Sequence, residues 1–90
     1  MTIQPVYLCD GIRTPFGKYK GGFSAIRTDD LAALPLTYLL NKYPAIASAF
    51  DEVILGCANQ SGEDNRNVAR MASLLAGLPV ETPAYTVNRL

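Results

Sequence analysis

Hydrophobic and polar positions alternate along this chain in short runs that punctuation residues separate cleanly. Val6-Tyr7-Leu8-Cys9 is apolar on both faces, the mark of a strand covered on two sides, and Asp10-Gly11 breaks it. The stretch from Ile12 to Ser24 reads as a loop, because Pro15 biases Thr14 towards extended backbone and Gly17 permits a turn. Thr28-Asp29-Asp30 then precedes Leu31, Leu34, Tyr38 and Leu39, which recur with the helical period. This predicts a helix capped by Thr28 or Asp29, with one apolar stripe. Pro35 lacks the N–H that would bond to the carbonyl of Leu31, so the helix is expected to kink there. Asn41 to Pro44 ends it, and Ala45 to Phe50 has room only for a turn or a helical fragment.

Val53-Ile54-Leu55-Gly56-Cys57-Ala58 is again apolar on both faces and predicts a buried central strand. The character changes at once: Asn59 through Asn67 carries no apolar side chain. Asn65 or Asn67 can cap a helix whose Val68, Met71, Ala72 and Leu75 share a face, and Gly77-Leu78-Pro79 supplies its stop signal. A loop from Val80 to Pro83 leads into a last strand around Tyr85-Thr86-Val87. The order β-loop-α-β-loop-α-β argues an α/β layered architecture with helices covering a largely parallel sheet. Three strands leave such a sheet incomplete. No repeat, linker or low-complexity tract divides residues 1–90, so a single unit without an internal boundary is expected.

Composition narrows the function classes. Eight basic and eight acidic residues cancel, and no basic cluster with interleaved aromatics appears, which removes the electrostatic case for nucleic acid or an acidic membrane. Lys18 and Lys20, flanking Tyr19, read as a solvated loop. No apolar run approaches a membrane span and no basic n-region with a following apolar stretch opens the sequence, so a secretory or membrane-spanning role is not expected. Cys9 and Cys57 sit inside apolar runs as buried reduced thiols would, so a cytoplasmic setting is expected. The chain has no His, and its Asp and Glu residues lack metal-ligand spacing, so neither metal nor cofactor is expected.

Candidate chemistry is sparse. Gly11, Gly17, Gly56 and Gly62 do not form the close glycine triplet of a dinucleotide site, and the carboxylates of Glu63 and Asp64 occupy the niche an anion would take before the second helix. Asn59 and Gln60 fall just past a buried strand, where open α/β sheets place their ligand crevice, and are candidates for an active-site-side loop. Asn88 and Arg89, within an otherwise apolar strand, require partners or an edge position.

Four blocks carry a resemblance. Arg13-Thr14-Pro15-Phe16-Gly17, Gly62-Glu63-Asp64-Asn65-Arg66-Asn67-Val68-Ala69-Arg70, Leu74-Leu75-Ala76-Gly77-Leu78-Pro79 and Thr86-Val87-Asn88-Arg89-Leu90 resemble, in order and spacing, successive blocks of the thiolase family. The wording from Val53 to Gly77 is most similar to the branch acting on 3-oxoadipyl-CoA. The resemblance implies that this chain is the N-terminal part of the thiolase N-terminal domain, within an acyltransferase of several hundred residues that works as a homodimer or homotetramer. It implies CoA and CoA thioesters as substrates, and a nucleophilic Cys immediately after Leu90, with a His and a second Cys from the C-terminal half as base and acid. No catalytic residue is then expected within the chain itself, which should be inactive alone. Cys9 and Cys57 match no catalytic position of the family and are left with packing roles. The family's matching strand lies at a subunit interface, which makes Thr86, Asn88 and Arg70 candidates for subunit contact. The alternative reading is a structural fragment that shares a sheet edge with a partner and has no activity of its own.

Overall fold

The computed structural model of the chain describes residues 2–59, 62 and 66–89. A helix α1 (Thr28–Lys42) runs into a 3₁₀ turn over Pro44–Ala49, followed by strand β1 (Val53–Gly56), helix α2 (Val68–Ala76) and strand β2 (Ala84–Val87). The two strands pair in parallel, Val53 opposite Ala84 and Gly56 opposite Val87, with α2 as the crossover between them. Helix α2 packs on α1 and on both strands, which produces the partial α/β layering that the element order predicts.

Helix α2 begins and ends where its residues dictate. Asn67 occupies the N-cap and its side-chain oxygen accepts from the Arg70 amide at 3.2 Å. Gly77 takes the left-handed conformation at φ 90°, the Leu78 amide reaches back to the Ser73 carbonyl at 3.1 Å, and Leu78 is buried beneath the turn. Helix α1 starts one or two residues earlier than the expected cap at Thr28 or Asp29 would place it. Arg27 holds the N-cap position without a side-chain cap bond, while the buried Asp29 carboxylate accepts from the Asp30 amide at 2.9 Å and from Arg27 Nε at 3.2 Å. The Arg27 side chain holds the Asp29 carboxyl below its usual 3.8. The helix continues through Pro35 to Lys42 as one element.

The expected first strand does not form. Val6 to Cys9 has no regular secondary structure and pairs with no strand among the described residues, and Val6 and Leu8 are 92% and 103% exposed. A strand is stable only when a neighbour takes its backbone donors and acceptors, and the apolar pattern of Val6–Cys9 speaks to its faces, not to its edges. Cys9 is consequently exposed instead of packed, while Cys57 is half-buried.

Two further expectations shift. The α1 stripe of Leu31, Leu34, Tyr38 and Leu39 is not the buried side: Leu34 and Tyr38 are 53% and 52% exposed, and Ala33 is the buried apolar residue. Helix α1 is apolar on more than one face, so the period alone could not choose between them. The fully enclosed positions of α2 are small, Ala69, Ala72 and Ser73, all at 0% exposure, while Leu75 of the predicted face is 50% exposed. β1 is covered on one face only, with Val53 buried and Ile54 half exposed.

The result is an open body. Its accessible surface is 7132 Å², against about 5,100 Å² for a self-contained folded chain of this size, and its radius of gyration is 14.4 Å, against about 12 Å.

Candidate functional site

The carboxyl ends of β1 and β2 lie side by side, which is where open α/β sheets bind their ligands. The ladder closes there with the Cys57 amide donating to the Val87 carbonyl at 3.0 Å. Just beyond, Asn88 Nδ2 donates to the Ala58 carbonyl at 3.0 Å, tying the chain after β2 to the chain after β1. The Cys57 thiol points to the Asn59 carbonyl at 3.2 Å. Gly56, Cys57, Ala58, Val87 and Arg89 line a shallow open groove of about 390 Å³. The strand ends at Val87, so Asn88 and Arg89 are exposed end positions and not buried strand residues, which explains how a polar pair is tolerated after an apolar run.

Behind the groove, one polar network joins α2 to β2. Thr86 Oγ1 accepts from the Ala69 amide at 3.2 Å and donates to Asn67 Oδ1 at 2.9 Å. Asn67 Nδ2 donates to the Ala84 carbonyl at 3.3 Å. Arg70 donates from Nη1 to the Thr82 carbonyl and from Nη2 to the Val80 carbonyl, both at 3.0 Å. The first turn of α2 thus has two of its otherwise orphaned amides satisfied, one by its own cap and one by a strand residue.

The structure brings Thr86 and Arg70 into this network and leaves Asn88 and Asn59 on the surface at the strand ends. Gln60 lies outside the described residues, as do Glu63, Asp64 and Leu90. Sequence reasoning recognises Asn67 as a cap but misses that it also grips β2. The signal available was Thr86, a hydroxyl in a short apolar strand.

A second polar cluster ties the N-terminal stretch to the end of α1. Asp10 Oδ2 accepts from Tyr43 Oη at 2.6 Å and from Lys42 Nζ at 2.9 Å, and Oδ1 accepts from the Gly11 amide at 2.7 Å. The Tyr43 hydroxyl foremost, then the Lys42 ammonium and the Gly11 amide, hold the Asp10 carboxyl down from 3.8 to about 2. The same bonds raise Tyr43 and Lys42 above 10.0 and 10.5. Perturbed groups can mark active sites. Here every partner is already satisfied within an exposed cluster, so the arrangement is an anchor.

Its pH dependence has a definite sign. Because the folded pKa is depressed, the anchor is at full strength above 3.8 and is lost as pH falls through about 2. An NMR titration should therefore find the Asp10 carboxyl midpoint near 2, with residues 7–11 loosening through it. A midpoint at the ordinary value would mean the three bonds do not persist in solution.

No group of three or more His, Cys, Asp or Glu side chains among the described residues is arranged to hold a metal. No helix among them is long and apolar enough to cross a membrane.

Comparison with known proteins gives consistent matches. The family model described as "Thiolase, N-terminal domain" matches residues 6–90. A β-ketoadipyl-CoA thiolase of Acinetobacter baylyi is 62% identical over 89 residues, 98% of this chain and 22% of that protein. A 3-oxoadipyl-CoA/3-oxo-5,6-dehydrosuberyl-CoA thiolase of Escherichia coli is 60% identical over the same coverage. A 3-ketoacyl-CoA thiolase of an Enterobacter species is 48% identical, with 98% of this chain and 23% of that protein covered. The chain therefore spans about a fifth of the length of the curated relatives it matches.

Proposed function

Because this chain belongs to the thiolase family, we propose that it forms the N-terminal part of a 3-oxoacyl-CoA thiolase cleaving 3-oxoadipyl-CoA with free CoA. The observation that carries the acyl-chain reading is that identity is higher with relatives named for β-ketoadipyl-CoA or 3-oxoadipyl-CoA than with one named for 3-ketoacyl-CoA. In the proposed reaction a Cys thiolate following Leu90 attacks the 3-oxo carbon, and the bond between C2 and C3 breaks. The departing carbanion takes a proton at C2 and leaves as acetyl-CoA, while the remaining acyl group stays on sulfur until CoA removes it. The base and acid come from outside this chain, which has no His. The groove at the strand ends lies on the side where the nucleophile would emerge, and Asn59 follows directly on its lining residue Ala58.

The excess exposed surface supports the same reading. About 2,000 Å² beyond the need of a self-contained chain is on the scale of the surfaces that permanent neighbours bury. We assign the whole enzyme a homodimeric or homotetrameric state in the cytoplasm. Of the three residues considered for subunit contact, Asn88 is the exposed one, since Thr86 and Arg70 are at least half-buried and bonded within the chain.

The test uses the full-length protein with 3-oxoadipyl-CoA and no free CoA. The expected result is release of acetyl-CoA and a peptide carrying the shortened acyl group on the residue after Leu90, discharged when CoA is added. An adduct on another residue, or none with any 3-oxoacyl-CoA, would overturn the proposal. An adduct formed only from unsubstituted 3-oxoacyl-CoA would leave a thiolase of different acyl preference.

A second reading, a structural piece that shares a sheet edge, is favoured by the two-stranded sheet and the exposed apolar Val6–Leu8 run. Sedimentation of the 90-residue chain as a folded monomer would remove it.

A further inference from the structure

β2 is held by α2 at alternate positions. The side chains of Asn67 and Arg70 take the carbonyls of Val80, Thr82 and Ala84, and the next alternate residue, Thr86, returns its own hydroxyl to Asn67 and to the Ala69 amide. The intervening carbonyls of Pro83 and Val87 accept from Val53 and Cys57 of the neighbouring strand. β2 and its lead-in are thus bonded to β1 on one side and to side chains of α2 on the other. A slip of one residue along the strand would turn Thr86 to the opposite face and unmake every one of these bonds together.

Thr86 is also the last contact to the α2 side before the chain leaves the strand, where Val87 and Asn88 are bonded in turn to Cys57 and Ala58 after β1. We propose that the Thr86–Asn67 pair is the positioning device for the thiol after Leu90: it sets the register and direction of β2, and so the point at which the nucleophile meets the 3-oxo carbon. The inference rests on the thiolase reading above. It adds that this accuracy comes from a helix cap shared between Asn67 and a strand hydroxyl. Displacing a reacting group by about an ångström lowers turnover by up to roughly 100-fold while leaving substrate binding at remote contacts intact. Thr86 touches no substrate in this scheme and acts through the strand.

The experiment compares Thr86→Val, which keeps the shape and removes the hydroxyl, with Thr86→Ser, which keeps the hydroxyl, in the full-length protein. Active thiols are first counted by iodoacetamide labelling with peptide mapping, and turnover of 3-oxoadipyl-CoA is expressed per labelled thiol. Thr86→Val should lower kcat per thiol roughly 30-fold with KM within about twofold, and should shift the pH profile of alkylation. Thr86→Ser should recover most of the loss. If Thr86→Val folds poorly, Asn67→Ser is the second variant, since its shorter hydroxyl can still cap the helix but lacks the amide that takes the Thr86 hydroxyl and the Ala84 carbonyl together. It should show the same split in milder form.

A role confined to stability would lower the melting temperature and the labelled-thiol count while leaving kcat per thiol and the pH profile unchanged, and that result overturns the inference alone. Labelling that finds no reactive thiol after Leu90, or full turnover when that residue is replaced by Ser, overturns the thiolase reading and the inference with it.

Discussion

Ala72→Leu is expected to cost the chain about 3 kcal/mol, a large share of the on-the-order-of 5 kcal/mol available to a domain of this size. Ala72 is fully enclosed in α2, and its enclosed neighbours Ala69 and Ser73 are as small. These three residues let α2 sit close to α1 and to both strands. A Leu has nowhere to extend, so the side chain must leave its rotamer or the helix must move away from everything it touches, including Thr86. Urea denaturation followed by circular dichroism measures the loss. Ala72→Gly provides the contrast: it removes volume, and its cost should stay near the roughly 1 kcal/mol of helix propensity. A Leu variant within about 0.5 kcal/mol of the parent would mean that α2 is not packed this closely.

Asn67→Ala is expected to cost about 2 kcal/mol, at the upper end for a helix cap. The reason is the number of groups that depend on one amide. Asn67 Oδ1 accepts from the Arg70 amide and from Thr86 Oγ1, and Nδ2 donates to the Ala84 carbonyl. Truncation leaves the Arg70 amide and the Ala84 carbonyl without those partners in a half-buried setting. Equilibrium denaturation gives the magnitude, and amide exchange locates it. The Arg70 amide should exchange roughly tenfold faster or more, with β2 amides following, while the middle of α1 is unaffected. Protection lost evenly across the chain would indicate a global effect and not a local cap.

What could be read from the sequence follows how local each signal is. The boundaries of α2 were legible because Asn67, Gly77 and Leu78 act within a turn of the helix they delimit. β1 and β2 were legible as apolar β-branched runs, and their parallel pairing followed from the helix between them. Val6–Cys9 has the same composition yet forms no strand, since pairing depends on an edge that residues far along the chain must provide. The buried side of α1 was misjudged because its apolar residues surround the helix, and which of them is enclosed depends on packing against elements further along the chain.

The candidate site divides in the same way. The location of the strand-end groove follows from element order alone, and the family resemblance rests on short blocks that can be compared directly. The grip of Asn67 on Ala84 and Thr86 spans 17 and 19 residues, and that of Asp10 on Lys42 and Tyr43 spans 32 and 33. No local pattern encodes a hydrogen bond over such separations. It becomes visible only when the fold has brought the partners together.

The open shape of the chain also sets how it responds to denaturant and heat. The slope of stability against urea and the heat capacity of unfolding both scale with the surface that unfolding newly exposes. With 7132 Å² already accessible, this chain has about a fifth less surface left to expose than a self-contained one of its length. Its urea transition is accordingly expected to be broad, its heat-capacity step shallow, and its stability curve flatter against temperature. Covering the outer faces of α1 and β1 would steepen all three without altering a single bond inside the chain.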